Sequence, residues 1–189
     1  MADSPEKAII IGGSAGALEA LSVFLPTLPE DFPYPVILIV HLPSDKKSIL
    51  AELLNEKCAL RVIEATDKEP LSTGSVFLAP PDYHLLVELD KTLSLSSEDP
   101  VMYSRPSIDV SFETAAEAFG AGLTAVLLTG ANSDGAQGLS AICNHGGTAL
   151  IQDPATAVAA IMPESAIKTC PAAKVLTLDQ IGCYLLDIA

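Results

Sequence analysis

A serine stands at the centre of the segment GGSAG, where glycines precede and follow it in the order G-x-S-x-G. This order is typical of a nucleophile elbow, the sharp turn between a strand and a helix that exposes a serine hydroxyl. The first turn of such a helix offers unbonded N–H groups and the positive end of a dipole, and both stabilise an oxyanion. Ser14 is therefore a candidate nucleophile for acyl transfer. The alternative is a tight turn in which Ser14 only caps the helix.

The same glycines permit a second interpretation, a dinucleotide-binding turn of the form G-x-G-x-x-G/A. Gly12 and Ala17 fit its first and third positions, but Ser14 occupies the second, where its side chain would obstruct a pyrophosphate. The next apolar run, VILIV, ends in His41 and not in the acidic residue that binds a ribose. A nucleotide-binding Rossmann protein is therefore only the third choice of function.

Two further reactive side chains follow other apolar runs. His41 comes directly after VILIV, and Asp134 lies in the turn GANSDGAQG after the run LTAVLLT. The carboxyl ends of parallel strands share one crevice, so Ser14, His41 and Asp134 are expected to meet there. They would form a catalytic triad with His41 as the base and Asp134 as the carboxylate that orients it. Alternatively, His41 is a loop residue and Asp134 caps a helix that begins at Gly138.

The remaining reactive side chains are assigned to structure. His84 begins a predicted hairpin strand, and His145 precedes two glycines at a predicted helix end. The cysteines include no CxxC pair and no Cys/His spacing of a zinc site, so no metal site is predicted. We expect all of them to be reduced, namely Cys58, Cys143, Cys170 and Cys183.

The elements that must position these residues alternate along the chain. Strands are predicted at Lys7–Ile11, Val36–Val40, Leu60–Ile63, Ser75–Ala79, Leu85–Glu88, Leu93–Leu95, Leu123–Thr129, Thr148–Ile151 and Lys174–Leu176. Helices are predicted at Ala17–Leu25, Lys47–Glu56, Ser107–Phe119, Gly138–Asn144 and Pro163–Thr169. The alternation predicts an α/β fold with a doubly wound, Rossmann-like and mainly parallel sheet. Between Pro70 and Leu95, three short strand-like pieces predict an inserted antiparallel hairpin.

Composition narrows the class of protein. The chain has 189 residues, of which 49% are hydrophobic and 18% charged, and this balance suits one domain with a large core. The formal net charge is −14 with only 10 Lys and Arg, which excludes nucleic acid and anionic membrane surfaces as partners. No run is long enough to span a bilayer, and the N-terminus MADSPEK does not resemble a signal peptide. We therefore expect a cytoplasmic location without membrane insertion.

Taken together, these segments resemble the catalytic domain of CheB-type protein-glutamate methylesterases over nearly the whole chain. IIIGGSAGALEAL resembles the family's serine segment, VHLPSDKKSILAELL its histidine segment and VFLAPPDYHLLV its hairpin segment. SRPSIDVSFETAAEAFG, AVLLTGANSDGAQGL and IMPESAI follow in the family's order. The resemblance implies one catalytic domain over residues 1–189, without the receiver domain that is usual in the family.

The resemblance also implies roles for single residues. Ser14 would be the nucleophile, His41 the general base and Asp134 its orienting carboxylate, with no metal and no organic cofactor. The backbone N–H groups of Ala15 and Ala131 would form the oxyanion hole. Arg105 would bind substrate at the rim of the site. The alternative for Arg105 is a structural ion pair with Asp109.

The implied function is hydrolysis of glutamate methyl esters on chemoreceptors or related signalling proteins, with release of methanol and with glutamine deamidation as a second reaction. A methyltransferase or a receiver protein would be a further partner. The chain departs from the family's usual Thr, Gly and Met at Ala15, Ala17 and Ala131. The competing hypothesis is a relative with little or no catalytic activity that serves as a binding module in signalling.

Overall fold

A parallel sheet forms the centre of the fold. The structure, a computed structural model, describes residues 5–41 and 49–189. The strands in these ranges are β1 (Ala8–Gly13), β2 (Val36–Val40), β3 (Arg61–Glu64), β4 (Glu69–Pro70), β5 (Ser75–Leu78), β6 (His84–Val87), β7 (Thr92–Ser96), β8 (Leu123–Leu127), β9 (Thr148–Gln152) and β10 (Lys174–Leu176). Seven of them form the parallel sheet, in the order β10-β9-β8-β1-β2-β5-β3. The predicted mainly parallel sheet is confirmed.

Helices cover both faces of this sheet, as the doubly wound arrangement requires. They are α1 (Ala17–Phe24), α2 (Leu50–Asn55), α3 (Ile108–Phe119), α4 (Ala136–Asn144), α5 (Ile161–Thr169) and α6 (Leu178–Asp187). Along β1, Ile9 and Ile11 pack in the core that includes α1, α2 and α6. Ala8 and Ile10 pack in the core that includes α3, α4 and α5. All six residues of this strand are buried, which explains its unbroken apolar run.

The inserted antiparallel unit is larger than the predicted hairpin. It has three strands in the order β4-β7-β6, and its buried residues Leu85, Val87 and Leu93 pack in the same core as α3. Ser75–Leu78, the first of the predicted pieces, belongs instead to the parallel sheet between β2 and β3. All four of its residues are buried, and this corresponds to a strand covered on both faces and not to an exposed hairpin strand.

The other differences concern helix bounds. Helix α4 begins at Ala136, two residues before the prediction, and α3 begins at Ile108 because Ser107 is its N-cap. The predicted helix Lys47–Glu56 begins outside the described residues and continues as α2. The predictions contain no counterpart of α6, although Thr177 and Gln180 form a capping box at its start.

Candidate active site

The three candidate triad residues lie at the ends of three neighbouring strands. β1 lies between β2 and β8 in the sheet, and its ladders pair Gly13 with Val40 and Gly12 with Leu127. Backbone hydrogen bonds continue past the strand ends, since His41 N donates to Gly13 O and Ser14 N donates to Thr129 O. The strand order runs in opposite directions on the two sides of β1. The carboxyl ends of β1 and its neighbours therefore form the switch point at which α/β proteins bind ligands.

Ser14 begins a tight turn that leads into α1. The backbone N–H of Ala17 donates to Ser14 O at 2.9 Å, and Gly16 has a φ of 83° and a ψ of 2°. A β-turn with this conformation at its third residue is a type II turn, which favours glycine there. A Cβ on Gly16 would also lie 2.6 Å from Cβ of Val158. The glycine is therefore required both by its backbone conformation and by its packing.

The capping alternative for Ser14 is not what the structure contains. The N-cap of α1 is Gly16, which has no side chain to accept a hydrogen bond from the first turn. Ser14 is partly exposed, and its hydroxyl makes no hydrogen bond to another residue within 5–41 and 49–189. The hydroxyl is thus accessible and available to react.

His41 and Asp134 are in direct contact. His41 Nε2 and Asp134 Oδ2 are 2.9 Å apart, and the side chains are 12% and 0% exposed respectively. A carboxylate can only accept a hydrogen bond, so Nε2 of His41 carries the proton that Asp134 receives. The other ring nitrogen, Nδ1, then keeps its lone pair and can accept a proton. This is the contact that a base and its orienting carboxylate require.

Asp134 caps a helix, but not the helix that the sequence suggested. Its Oδ1 accepts hydrogen bonds from Ser107 Oγ and Asp109 N, and its Oδ2 accepts one from Ile108 N at 2.7 Å. These N–H groups belong to the first turn of α3, which would otherwise leave them without partners. Helix α4 has Gly135 as its N-cap and no side-chain cap, so the expected cap of a helix at Gly138 is wrong. Asp134 therefore fixes His41 and the start of α3 at once.

The hydrogen bonds of Asp134 keep its carboxylate ionised. Burial alone would raise the pKa of Asp134, but the hydrogen bonds from His41 and from the Asp109 and Ile108 backbones outweigh this effect. The pKa of Asp134 therefore lies below its ordinary value. An ionised Asp134 holds the His41 proton on Nε2 and stabilises the imidazolium that forms when Nδ1 is protonated.

A second carboxylate lies beside the first. Asp109 Oδ1 accepts the Gly138 N–H at 2.7 Å, so α3 and α4 are joined by reciprocal contacts at their first turns. Burial is the largest cause that raises the pKa of Asp109, to about 6, and the negative charges of Asp134 and Glu113 act in the same direction. No basic side chain forms an ion pair with Asp109 in the described part of the chain. Asp109 therefore differs from Asp134 in carrying an uncompensated buried charge.

Asn132 belongs to the same loop, although the sequence analysis did not select it. Its Oδ1 accepts the Asp134 N–H at 3.1 Å, and its Nδ2 points to His41 Nδ1 at 3.5 Å. The first contact is an Asx turn, for which an Asn two residues before the bonded N–H is a recognised signal. The second is long for a hydrogen bond, so it orients His41 without fully occupying Nδ1.

The Ser14 turn and the Asp134 loop are also joined by Thr129. Its carbonyl oxygen accepts the Ser14 N–H, and its Oγ1 donates to Ala15 O at 2.9 Å. The Thr129 N–H is itself held by Gln152 Oε1 at 2.8 Å. The position of the serine is therefore set by a buried threonine that the motif search did not include.

The two candidate oxyanion donors are exposed and unused. Ala15 and Ala131 are both exposed, and neither backbone N–H donates a hydrogen bond to another of the described residues. One follows Ser14, and the other follows Gly130, whose N–H and C=O are bonded to Ala159 and Met162. Free N–H groups on fixed backbone are what an oxyanion hole needs. Their role stays a prediction.

Arg105 is held by backbone carbonyl groups. Its Nη1 donates to Ser97 O and to Glu98 O, each at 3.0 Å. The structure has no Arg105–Asp109 ion pair among the residues it describes, so that alternative is wrong. The guanidinium secures the loop before α3, and contact with a substrate stays a prediction.

The other two histidines occupy structural positions. His84 is 2% exposed, its Nδ1 accepts the Ser107 N–H at 3.1 Å, and its Nε2 lies 3.1 Å from Asp99 O. His145 is exposed, and its Nδ1 lies 2.8 Å from Ala141 O at the end of α4. Both side chains therefore hold backbone segments, in agreement with the assignment from sequence.

The described residues contain neither a metal-binding cluster nor a membrane-spanning helix. Residues 5–41 and 49–189 contain no group of three or more His, Cys, Asp and Glu side chains that could hold a metal ion. In the same part of the chain, none of the helices combines the length and the apolar character needed to cross a membrane.

Comparison with known proteins identifies the family. The family model described as CheB methylesterase matches residues 9–185. A protein of Leptospira interrogans, provisionally named a protein-glutamate methylesterase/protein-glutamine glutaminase, is 47% identical over 176 residues, which cover 93% of this chain and 91% of that protein. The protein-glutamate methylesterase/protein-glutamine glutaminase of Symbiobacterium thermophilum is 34% identical. The aligned residues cover 94% of this chain and 49% of that longer relative.

A solved structure agrees with these sequence comparisons. The CheB methylesterase catalytic domain of Thermotoga maritima superimposes with a TM-score of 0.92 at 33% sequence identity, covering 97% of this chain and 98% of that one. The shared fold is the parallel sheet with its small antiparallel unit, and the edge that carries Ser14, His41 and Asp134 lies within the matched residues. The chain belongs to the CheB methylesterase family.

Proposed function

We propose that this chain is a serine esterase that hydrolyses the γ-methyl ester of glutamate side chains on a chemoreceptor or a related signalling protein. The observation that carries the proposal is the 2.9 Å contact between His41 and the buried Asp134, at the strand end next to the exposed Ser14 turn. The names of the relatives point to the ester as substrate, and the positions of Ser14, His41 and Asp134 support their roles as nucleophile, base and orienting carboxylate.

The first half of the reaction forms an acyl-enzyme. Ser14 Oγ attacks the ester carbonyl while His41 Nδ1 accepts the hydroxyl proton, and the resulting imidazolium is stabilised by Asp134. The carbonyl oxygen becomes an oxyanion, which the N–H groups of Ala15 and Ala131 stabilise. His41 then returns the proton to the methoxy oxygen, and methanol leaves.

The second half regenerates the enzyme. A water molecule gives a proton to His41 Nδ1 and attacks the acyl carbon. As the intermediate collapses, His41 returns this proton to Ser14 Oγ, and the glutamate acid that is released ionises to the carboxylate. Glutamine amides follow the same route with ammonia as the leaving group, so one site accounts for both reactions named for the relatives. The product carries a negative charge on leaving a chain of net charge −14, which favours its release.

The decisive experiment compares methanol release from a methylated receptor by the wild type and by Ser14→Ala. Removal of the nucleophile is expected to lower kcat by roughly 10⁴ to 10⁶, because triad members act as a unit. Ser133→Ala is the matched control, since this serine is a neighbour of Asp134 whose hydroxyl has no role in the mechanism. A fluorophosphonate should label the wild type at Ser14 and leave Ser14→Ala unlabelled.

Two outcomes would overturn the proposal. Activity of Ser14→Ala within tenfold of the wild type would exclude Ser14 as the nucleophile. A wild type that neither releases methanol nor reacts with the fluorophosphonate would favour the competing function, a binding module that retains the fold.

A further inference from the structure

Two thiols meet between α4 and α5. Cys143 lies in the last turn of α4, Cys170 is the C-cap of α5, and their Sγ atoms are 2.7 Å apart although the residues are 27 positions apart in sequence. Cys170 is buried, whereas Cys143 is half-buried. Formation of an S–S bond of about 2.05 Å would require the two sulfur atoms to approach by less than about 1 Å.

The other two cysteines have no such neighbour. Cys58 is partly buried next to α2, and Cys183 is exposed on α6. Neither makes a sulfur contact with another cysteine in the described ranges, whereas Cys143 and Cys170 do. The chain therefore contains its own pair of control thiols.

We propose that Cys143 and Cys170 form a reversible dithiol–disulfide pair that is oxidised by peroxides. Cys143 reacts first because it is the more accessible of the two. Its sulfur attacks the O–O bond of hydrogen peroxide, which yields a sulfenic acid and one water molecule. Cys170 then attacks that sulfur, and the S–S bond forms as a second water molecule leaves. Two protons and two electrons pass from the thiols to the peroxide.

The environment of the pair sets the rate of this reaction. Burial is the main cause that raises the pKa of Cys143, to about 12, and the contact with Cys170 acts in the same direction. Because the thiolate is the reactive form, oxidation is expected to be slow at neutral pH and to accelerate as the pH rises. The pair would therefore respond to sustained oxidising conditions.

The bond would connect two helices that both support the catalytic edge. Helix α4 begins two residues after Asp134, and α5 is joined to the same loop through Met162 N, which donates to Gly130 O at 3.0 Å. The sulfur atoms lie at the other ends of these helices. A disulfide there would link the α4 and α5 segments in the unfolded chain and so reduce the conformational freedom of that state. It would make no contact with Ser14, His41 or Asp134.

The test uses the full chain, reduced and then treated with hydrogen peroxide, alkylated under denaturing conditions and analysed by intact mass and peptide mapping. The wild type and the Cys58→Ser, Cys183→Ser double variant should each lose two hydrogen atoms, and the peptides of Cys143 and Cys170 should be joined. Cys143→Ser and Cys170→Ser should form no intramolecular bond, and dithiothreitol should restore the reduced mass.

Three results would overturn the proposal. They are full alkylation of all thiols after peroxide, a bond that involves Cys58 or Cys183, and addition of oxygen to Cys143 without a bond to Cys170. In the double variant, formation of the bond should also raise the melting temperature by roughly 5 °C or more. An unchanged melting temperature would contradict the restraint on α4 and α5. None of these measurements uses esterase activity, so they are independent of the proposed function.

Discussion

His41 and His84 carry their protons on the same ring nitrogen and yet have different surroundings. In both, Nε2 faces an oxygen acceptor, Asp134 Oδ2 for His41 and Asp99 O for His84. At His84, Nδ1 accepts the Ser107 N–H at 3.1 Å, whereas at His41 Nδ1 lies at the longer distance of 3.5 Å from Asn132 Nδ2. Among the residues that the structure describes, His84 therefore has both nitrogens engaged, and His41 keeps one available.

Ser107 connects the two histidines, since it binds His84 directly and His41 through Asp134. Ser107 gives its backbone N–H to His84 and its hydroxyl to Asp134, which in turn binds His41. The start of α3 is therefore fixed by a structural histidine on one side and fixes the carboxylate of Asp134 on the other. The difference teaches that an available Nδ1 decides which histidine can act as a base, since both histidines have an oxygen partner at Nε2.

The largest expected effect is that of His41→Gln on turnover. This variant removes the base and should lower kcat for ester hydrolysis by roughly 10⁴ to 10⁶, as expected for a member of a triad. Its melting temperature should change little, because the amide nitrogen of Gln can donate to Asp134 Oδ2 in place of His41 Nε2. Methanol release and thermal unfolding, measured on the same samples, separate the two effects. If His41→Gln retains more than a tenth of the wild-type rate, another group is the base.

Asp134→Asn should reduce both activity and stability. The amide nitrogen of Asn would face either His41 Nε2 or the α3 N–H groups, and it cannot accept a hydrogen bond from them. In the serine-protease template the same exchange lowers kcat by about 10⁴, and a buried unsatisfied donor destabilises a fold by ~1–3 kcal/mol.

The two losses in Asp134→Asn are measured by turnover below the melting temperature and by urea unfolding. Reduced stability with near-normal turnover would mean that Asp134 only caps α3. The active site would then be a Ser14–His41 dyad.

Sequence reasoning located Ser14, His41 and Asp134 because each follows an unbroken apolar run, and the ends of parallel strands meet at one edge whatever the strand order. It did not assign Ser75–Leu78 to the parallel sheet, because that pairing joins strands distant in sequence. Local pattern contains no information on such pairs.

The same limit applies to the contacts of Asp134. Its cap on α3 joins residues about 25 positions apart, as the Asp109 contact shows. Asn132 and α6 could have been found, since an Asx turn and a Thr-x-x-Gln capping box are both local signals.

His84→Ala should reduce stability more than turnover, which is the opposite of the result expected for His41→Gln. It leaves the Ser107 N–H and the Asp99 carbonyl without their partner and opens a cavity, so we expect a loss of ~2–3 kcal/mol in the free energy of unfolding. Below its melting temperature, turnover should remain within tenfold of the wild type. His145→Ala is the matched control, because this histidine is exposed and holds only one carbonyl. If His84→Ala abolished turnover in the folded state, His84 would belong to the catalytic machinery.

The smallest expected effect is on the pH dependence of stability, to which Asp109 and Asp134 should contribute with opposite sign. The pKa of Asp109 is raised by burial from 3.8 to about 6, so between these pH values the folded state binds more protons than the unfolded state. The free energy of unfolding should therefore fall as the pH rises through this window. Asp134 has a lowered pKa, and its contribution to stability is present above its unfolded value and is lost as the pH falls below about 4.

Asp109→Asn separates the two contributions, because its amide oxygen can still accept the Gly138 N–H while the buried charge is removed. At pH 8 the variant should be more stable than the wild type by ~1–2 kcal/mol, which is less than the full pKa shift implies because the amide nitrogen of Asn would itself be buried. The difference should vanish below about pH 4, where Asp109 is protonated in both states. Urea unfolding at several pH values measures this, with Glu117→Gln on the exposed side of α3 as the control. A variant less stable than the wild type at pH 8 would show that the Gly138 N–H requires an ionised partner. The charge of Asp109 would then stabilise the fold, as the charge of Asp134 does.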